Sequence, residues 1–590
     1  MDQTTESGLE PYSSIIREIR EEIPKNMIKQ NILGLAIAII SKDKVIWSEG
    51  FGYTDSSKEQ KVDVDTLFGL QSTTKAITAV AFLLAVQNGK VQLDDPLVKY
   101  YPEFNVKSRY GDDEGKKITF RHLLSHRSGL THEPRLGGVF DDTQCTWEEH
   151  IKSISGSWLK FSPGERSCYS NAGMDLVTYA LERITGQSYP GYVQQELGDP
   201  LGITIHYRKD EVYAYKNAAR GHLGDYAGAY TDDLGMGCGT SYTSIKALAT
   251  FVRFLLNLGT LDGKEILSAE HVNEMRTVQT EGNYGLGTFI NRNFGISIPN
   301  HGGGGFGFGS EMYWVPDHDI GIAIMSNQEY QGYVGSLANR ILKGYLEVKG
   351  ISSKSTDFPY PDAEKVKISD QKLDRLAGYY GGTIVSPRQV TLRKGKLFLN
   401  KTELVPVSET AFKAGEGITK GVAFKLDGQD NPLSIDLYLD GLGMLDVKFI
   451  GRPIDKPGLN REEWKKYEGI YRSHFDHTEP LYETIKLEEN GYLHMFQAGR
   501  RLYEHDNLTN VFFTFTGEAV TFEKDGLMYN GNIKGKKVDD PVTELTELSR
   551  MNSKHRYLQG WSLDALTTQL NYLGRAREAE KIVQLKKSLQ

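Results

Sequence analysis

An apolar run from Ala76 to Val86, interrupted only by Thr78, constrains this chain more than any other stretch. It is too long and too apolar for a surface strand. Asn88-Gly89 closes it, so the run predicts a buried helix. The flanking sequence supplies elements to enclose such a helix. Leu35–Ile40 and Lys44–Glu49 lie on either side of Ser41-Lys42-Asp43 and read as a hairpin. Met312–Val315 and Ile320–Met325 flank Pro316-Asp317-His318-Asp319 and read as a second. Hairpins at both ends with helices between them predict an α+β domain, an antiparallel sheet with a helical block, over residues 1–350.

Neither this run nor Ile32–Ile40 reaches the roughly 20 apolar residues of a bilayer-spanning helix. The start, Met-Asp-Gln-Thr-Thr-Glu-Ser-Gly, lacks the basic and apolar regions of a secretory signal. Cys145, Cys168 and Cys238 are odd in number and have no Cys-x-x-Cys spacing. Together these features predict a cytoplasmic protein with no membrane partner. A net charge of −8 over 590 residues gives no reason to expect nucleic acid. No cofactor and no metal are expected.

Residues 351–365, rich in Ser, Pro, Gly and Lys, read as a linker. Two similar segments follow, at 366–454 and 455–550. Leu376-Ala377-Gly378-Tyr379-Tyr380 in the first matches Tyr467-Glu468-Gly469-Ile470-Tyr471 in the second. Each continues into a Gly-centred turn and then a pair of phenylalanine-bearing strands, near Phe412 and Phe424 and near Phe512 and Phe522. Short strands with polar turns and no long helix predict two small β-barrels. Residues 551–590 read as a helical tail around Gly574, docked on the body or on a second subunit of a homo-oligomer.

Four Ser-x-x-Lys patterns occur: Ser41–Lys44, Ser72–Lys75, Ser157–Lys160 and Ser369–Lys372. Residues three apart share one helix face, so a serine in the first turn can meet a lysine one turn later. Burial lowers a lysine pKa and lets the neutral amine accept a hydroxyl proton. For any one match, a solvated Ser and Lys is the commoner explanation. Only Ser72–Lys75 opens a long apolar helix, so these two are the candidate nucleophile and base.

Of two Tyr-x-Asn elements, Tyr169–Asn171 stands between the turn Phe161-Ser162-Pro163-Gly164 and a helix-forming run, a junction where side chains point into clefts. Tyr215–Asn217 has no such frame. His301-Gly302-Gly303-Gly304-Gly305 removes side chains, so a ligand can approach strand backbone. A dinucleotide loop over Gly302, Gly304 and Gly307 is excluded because a strand, not a helix, follows. His474, Asp476 and His477 read as an exposed barrel loop and not as a metal site. No G-x-S-x-G, H-E-x-x-H or P-loop is present.

The order Ser-x-x-Lys, Tyr-x-Asn, glycine-rich strand resembles the serine β-lactamase and penicillin-binding protein superfamily, in its class C branch. Leu33–Ala36, Gly50–Tyr53, Asp65–Phe68, Leu93–Pro96, Ile118–Leu130 and Phe161–Asn171 also look like blocks of that family, and the likeness covers about residues 15–345. His-Gly-Gly stands where β-lactamases carry a lysine. It is similar to the D-aminopeptidase and esterase members, as is the pair of lipocalin-like barrels. The resemblance implies that Ser72 is acylated and that Lys75, with Tyr169, moves its proton. It further implies that Asn171, His301 and Gly303 contact the substrate, and that the N–H groups of Ser72 and Gly304 form the oxyanion hole. The expected partner is a small-molecule or peptide substrate: a peptide, amide or ester, with D-residues among the candidates. The alternatives are a β-lactamase or D-alanyl-D-alanine carboxypeptidase, and a penicillin-binding sensor without turnover.

Overall fold

The computed structural model describes residues 12–589 apart from 139–143, 224–225, 228–233, 280–282, 329–330, 352–357, 361, 382–387, 416–418, 440–442, 453–461, 474–481, 496–499, 506–507, 524–525, 530–532, 552–557 and 559. Residues 352–357 and 361 of the expected linker, and the His474, Asp476 and His477 loop, lie outside the described residues. The chain forms two compact units that do not follow its order. The first holds 1–103, 116–129 and 163–451. The second holds 104–115, 130–162 and 452–590.

The first unit is built on a six-stranded sheet. Its strands are β1 (Gly34–Ile40), β2 (Val45–Gly52), β3 (Phe289–Asn293), β4 (Ile296–Gly305), β5 (Phe308–Val315) and β6 (Ile320–Ser326), in the order β2-β1-β6-β5-β4-β3. All its pairings are antiparallel. Both expected hairpins form, as β1–β2 and β5–β6. The first and last strands of this sheet in sequence, β1 and β6, pair side by side, with Leu35 opposite Ser326 and Ile40 opposite Gly321. Every residue of β1 is buried, because helices cover both faces of the sheet. On one face, α1 (Ser13–Lys29) and α5 (Gln331–Val348) pack Ile19, Ile23, Leu337 and Ile341 against Leu35, Ile37, Ile39 and Ile322. On the other lies α4 (Ile245–Leu256). A β-carbon at Gly321 would sit 2.5 Å from Val252, so this helix rests directly on backbone.

The apolar run is α2 (Thr74–Gln87), a helix buried from Thr74 to Ala85, as its all-round hydrophobicity demands. It ends at Asn88 and at Gly89, which adopts φ +69°. Edge strand β3 is covered by strand Gly443–Gly451 of a closed eight-stranded barrel running from Gly378–Tyr380 to Gly443–Gly451.

The second unit contains the other closed eight-stranded barrel, from Gly469–Ser473 to Ile533–Val538. The two barrels repeat one another in detail. Tyr380 donates its hydroxyl to the Leu376 carbonyl at 2.7 Å, and Tyr471 does the same to Tyr467 at 2.7 Å. Phe412 meets Phe424 edge to face at 5.4 Å, as Phe512 meets Phe522 at 5.6 Å. Helices α6 (Pro541–Met551), α7 (Gly560–Tyr572) and α8 (Ala576–Leu589) follow. The helical tail therefore starts before residue 551, inside the stretch expected to be barrel, because Pro541 suits a first helical turn. Leu563, Leu566 and Leu570 of α7 pack on Ile470 and Tyr482 of the barrel wall. The same unit holds the segment Trp158–Lys160. Trp158 meets Phe513 edge to face at 5.3 Å. Gly517, at a hairpin tip, lies against the Lys160 carbonyl.

Candidate active site

Three of the four Ser-x-x-Lys matches have structural employment. The Ser41 Oγ accepts from the Lys44 N–H inside the β1–β2 turn. Ser157 Oγ donates to the Ile154 carbonyl, and Ser369 caps a helix by accepting from the Lys372 N–H. Ser72 alone is presented differently. It sits in a short 3₁₀ turn, Gln71–Thr73, that runs into α2. The turn is clamped to the sheet: Thr73 Oγ1 donates to the His301 carbonyl at 3.1 Å, and Ser310 Oγ donates to the Leu70 carbonyl at 2.6 Å.

One helical turn on, Lys75 has no exposed surface. Its Nζ donates to Ser72 Oγ at 3.2 Å and to the Cys238 carbonyl at 2.6 Å. Tyr169 closes the cluster. The Lys75 Nζ lies 4.7 Å from the Tyr169 ring centre, and the Tyr169 hydroxyl is close enough to Lys75 and Ser72 to interact with both. Burial raises the Tyr169 pKa and outweighs the opposing pull of Lys75 and Ser72. Tyr169 is therefore a neutral phenol at pH 7, suited to relay a proton and not to act as a phenolate. Asn171 opens α3 (Asn171–Thr185), whose N-cap Ser170 accepts from the Gly173 N–H at 2.9 Å. The other Tyr-x-Asn is spread over the surface: Tyr215 is 52% exposed, and Asn217 ties Thr66 to Asp63.

His301 is fully buried on β4, near Tyr169, with ring centres 6.5 Å apart. Its Nδ1 lies 2.7 Å from the Gly302 carbonyl, which can only accept, so Nδ1 carries the hydrogen. Its Nε2 therefore accepts the hydroxyl hydrogen of Tyr284 at 3.0 Å. Burial, with the nearby Lys75 charge, lowers the His301 pKa to about 3. The imidazole is neutral and both nitrogens are engaged within the protein. Gly303 is required for a reason other than ligand approach. A β-carbon there would lie 2.1 Å from the Leu70 carbonyl oxygen, so the protein's own backbone fills that space. Gly304, the next residue, is exposed.

The sequence reading missed three contributors. Cys238 acts through its carbonyl, and a backbone atom carries no residue signature. Tyr284 had no motif around it. His126, within the Ile118–Leu130 block, has φ +59° and packs, tilted, against the rings of Tyr169 and Tyr284, with centres 4.1 and 4.6 Å away. Its Nδ1 accepts the Ser170 N–H at 3.2 Å, which fixes the extended segment leading to Asn171.

The sheet and the helical block are those of the β-lactamase and transpeptidase type. Residues 14–345 match the Beta-lactamase family model, and the chain belongs to that family. Among curated proteins, it is 27% identical over 342 residues to Protein flp of Staphylococcus aureus (strain COL), covering 55% of this chain and 65% of that protein. It is 26% identical over 358 residues to Beta-lactamase-like protein 2 of Dictyostelium discoideum, covering 59% and 60%. The chain thus spans less than two thirds of the length of these relatives. Among solved structures, the octameric penicillin-binding protein homologue of Pyrococcus abyssi shares 25% identity at a TM-score of 0.50, covering 73% of this chain and all of that one.

Proposed function

We propose that this protein is a serine hydrolase that works through an acyl-enzyme on amides, peptides or esters. The carrying observation is the fully buried Lys75 with its Nζ placed 3.2 Å from Ser72 Oγ. Lys75 takes the Ser72 proton as Oγ attacks the substrate carbonyl, and Tyr169 passes that proton to the leaving group. The N–H groups of Ser72 and Gly304 stabilise the oxyanion, and Asn171 orients the substrate amide. Water then attacks the acyl carbon, the C–O bond to Ser72 breaks, and a proton from that water passes to Oγ.

The neutral His301 favours substrates without a carboxylate beside the scissile bond, because no fixed cation stands at that place to pair with one. This supports an aminopeptidase or esterase over a dedicated β-lactamase. A homo-oligomer is proposed by analogy with the octameric Pyrococcus abyssi homologue. A cytoplasmic location agrees with Cys145, Cys168 and Cys238 forming no disulfide.

The test is intact-protein mass spectrometry with p-nitrophenyl acetate, together with steady-state release of nitrophenol. Acetylation at Ser72 with continued turnover is expected. Acylation without turnover would make the protein a sensor, and no acylation would remove the reading. A panel of D-aminoacyl amides, penicillins and esters then ranks the substrate classes.

A further inference from the structure

Gln71 stands immediately before the nucleophile and belongs to none of the three motifs. Its backbone adopts φ +50°, a left-handed conformation uncommon for residues other than glycine. Such conformations concentrate where a site needs a side chain or a neighbour held at a set angle. The side chain is 7% exposed. Three glycines make room for it. A β-carbon at Gly305 would lie 3.0 Å from Gln71 Oε1, one at Gly69 would lie 3.3 Å from Nε2, and one at Gly303 would lie 3.0 Å from Cβ. The carboxamide thus runs along the Gly303–Gly305 backbone, beside the proposed oxyanion donor Gly304.

Among the described residues, no group hydrogen-bonds to this carboxamide. Neither Nε2 nor Oε1 is sealed from solvent, so a bound partner can take the place of water at this carboxamide. A primary amide carries two N–H donors and a carbonyl acceptor. It can therefore meet a secondary amide through either its N–H or its C=O.

We propose that Gln71 contacts the substrate and reads an amide group within its acyl portion. The preferred acyl donors are then peptidyl or N-acylaminoacyl groups, not simple alkanoyl groups. The inference rests on the hydrolase reading above and narrows its substrate class. An acyl chain lying along Gly303–Gly305 with its carbonyl at Ser72 passes the Gln71 carboxamide, which exchanges solvent for the substrate amide.

Two p-nitrophenyl esters of equal acyl length test this, the N-acetylglycinate and the pentanoate. They share the scissile bond and the leaving group and differ in the amide. The quantity read is the ratio of their kcat/KM values, corrected for spontaneous hydrolysis. It is measured in the full chain for wild type, Gln71→Gly and Gln71→Leu. Gln71→Gly keeps the left-handed backbone at no steric cost, so it remains informative if Gln71→Leu fails to fold. The ratio is expected to fall at least tenfold in the variants. A ratio within twofold of wild type in the folded variants overturns the role of Gln71 and leaves the hydrolase reading standing. A wild-type protein acylated by neither ester overturns both.

Discussion

Tyr284 donates its hydroxyl hydrogen to Nε2 of His301 at 3.0 Å, because the Gly302 carbonyl holds the imidazole hydrogen on Nδ1. The unfolded chain protonates this histidine at its ordinary value of about 6.5. The folded protein does so only at about 3. Between those values the unfolded state holds more protons, so stability is full above pH 6.5 and falls as pH drops towards 3. The slope from this group reaches up to about 1.4 kcal/mol per pH unit. Thermal melts from pH 7 to 4 should show wild type losing stability faster than His301→Gln. Parallel curves would mean that the histidine is not held neutral.

His301→Lys should move substrate preference. A lysine places a cation where the native ring is neutral. The ratio of kcat/KM for a free-acid substrate to that for its matched amide is therefore expected to rise about tenfold or more. Wild type should hydrolyse penicillins poorly. An unchanged ratio in the variant would show that position 301 does not govern carboxylate recognition.

The proposed nucleophile and base make separable predictions. Ser72→Ala should abolish covalent labelling, and a label retained on Ser41, Ser157 or Ser369 would sink the assignment. Lys75→Ala should slow acylation by about 10²–10⁴-fold, the usual contribution of such a base, with a near-native melting temperature. Tyr169→Phe should slow turnover, whereas Tyr215→Phe, at an exposed position, should not. Pre-steady-state acylation rates distinguish these cases.

Glu311 lies beside Gly302 in the β4–β5 pairing, with its Oε1 buried and no hydrogen bond to it among the described residues. Burial raises this carboxyl to about 8. Because the folded value exceeds the unfolded one, the stability it contributes is full below about 4.5 and is lost as pH rises through about 8. Glu311→Gln should therefore raise the melting temperature at pH 8.5 relative to wild type and change it little at pH 5. An equal change at both pH values would contradict a protonated carboxyl at neutral pH.

Gly517 combines φ +94° with a space that a β-carbon cannot enter, since it would lie 1.9 Å from the Lys160 carbonyl oxygen. Gly517→Ala should destabilise the second unit by about 1–3 kcal/mol through strain and displacement of that segment. Guanidinium denaturation measures it. Gly428→Ala, where nothing lies within 4 Å, is the control and should stay near wild type. Next to the tip, burial of Glu518 is outweighed by the Arg500 and Lys160 cations and the Thr514 and Thr516 hydroxyls, which hold its carboxyl at about 2. This contact should therefore persist down to acid pH.

Much of this architecture was legible in the chain itself. Ser72 and Lys75 could be paired because helical periodicity is a local property: three residues along one apolar helix meet on the same face. The two barrels could be anticipated because their tyrosine and phenylalanine positions recur at similar spacing, and each repeat closes on itself. Tyr169 could be chosen over Tyr215 because the turn before it and the helix after it are neighbours in sequence. Tertiary structure alone decided the rest. The Cys238 carbonyl reaches Lys75 from 163 residues away, and Tyr284 meets Nε2 of His301 by a contact between side chains. The Gly303 void turned out to hold the Leu70 carbonyl. Segments 104–115 and 130–162 joined the unit of the second barrel rather than that of the chain around them. Backbone atoms look alike at every residue, and contacts across long loops leave no periodic trace. Sequence therefore names the groups that can do chemistry, and only the packed fold determines which atoms stand beside them.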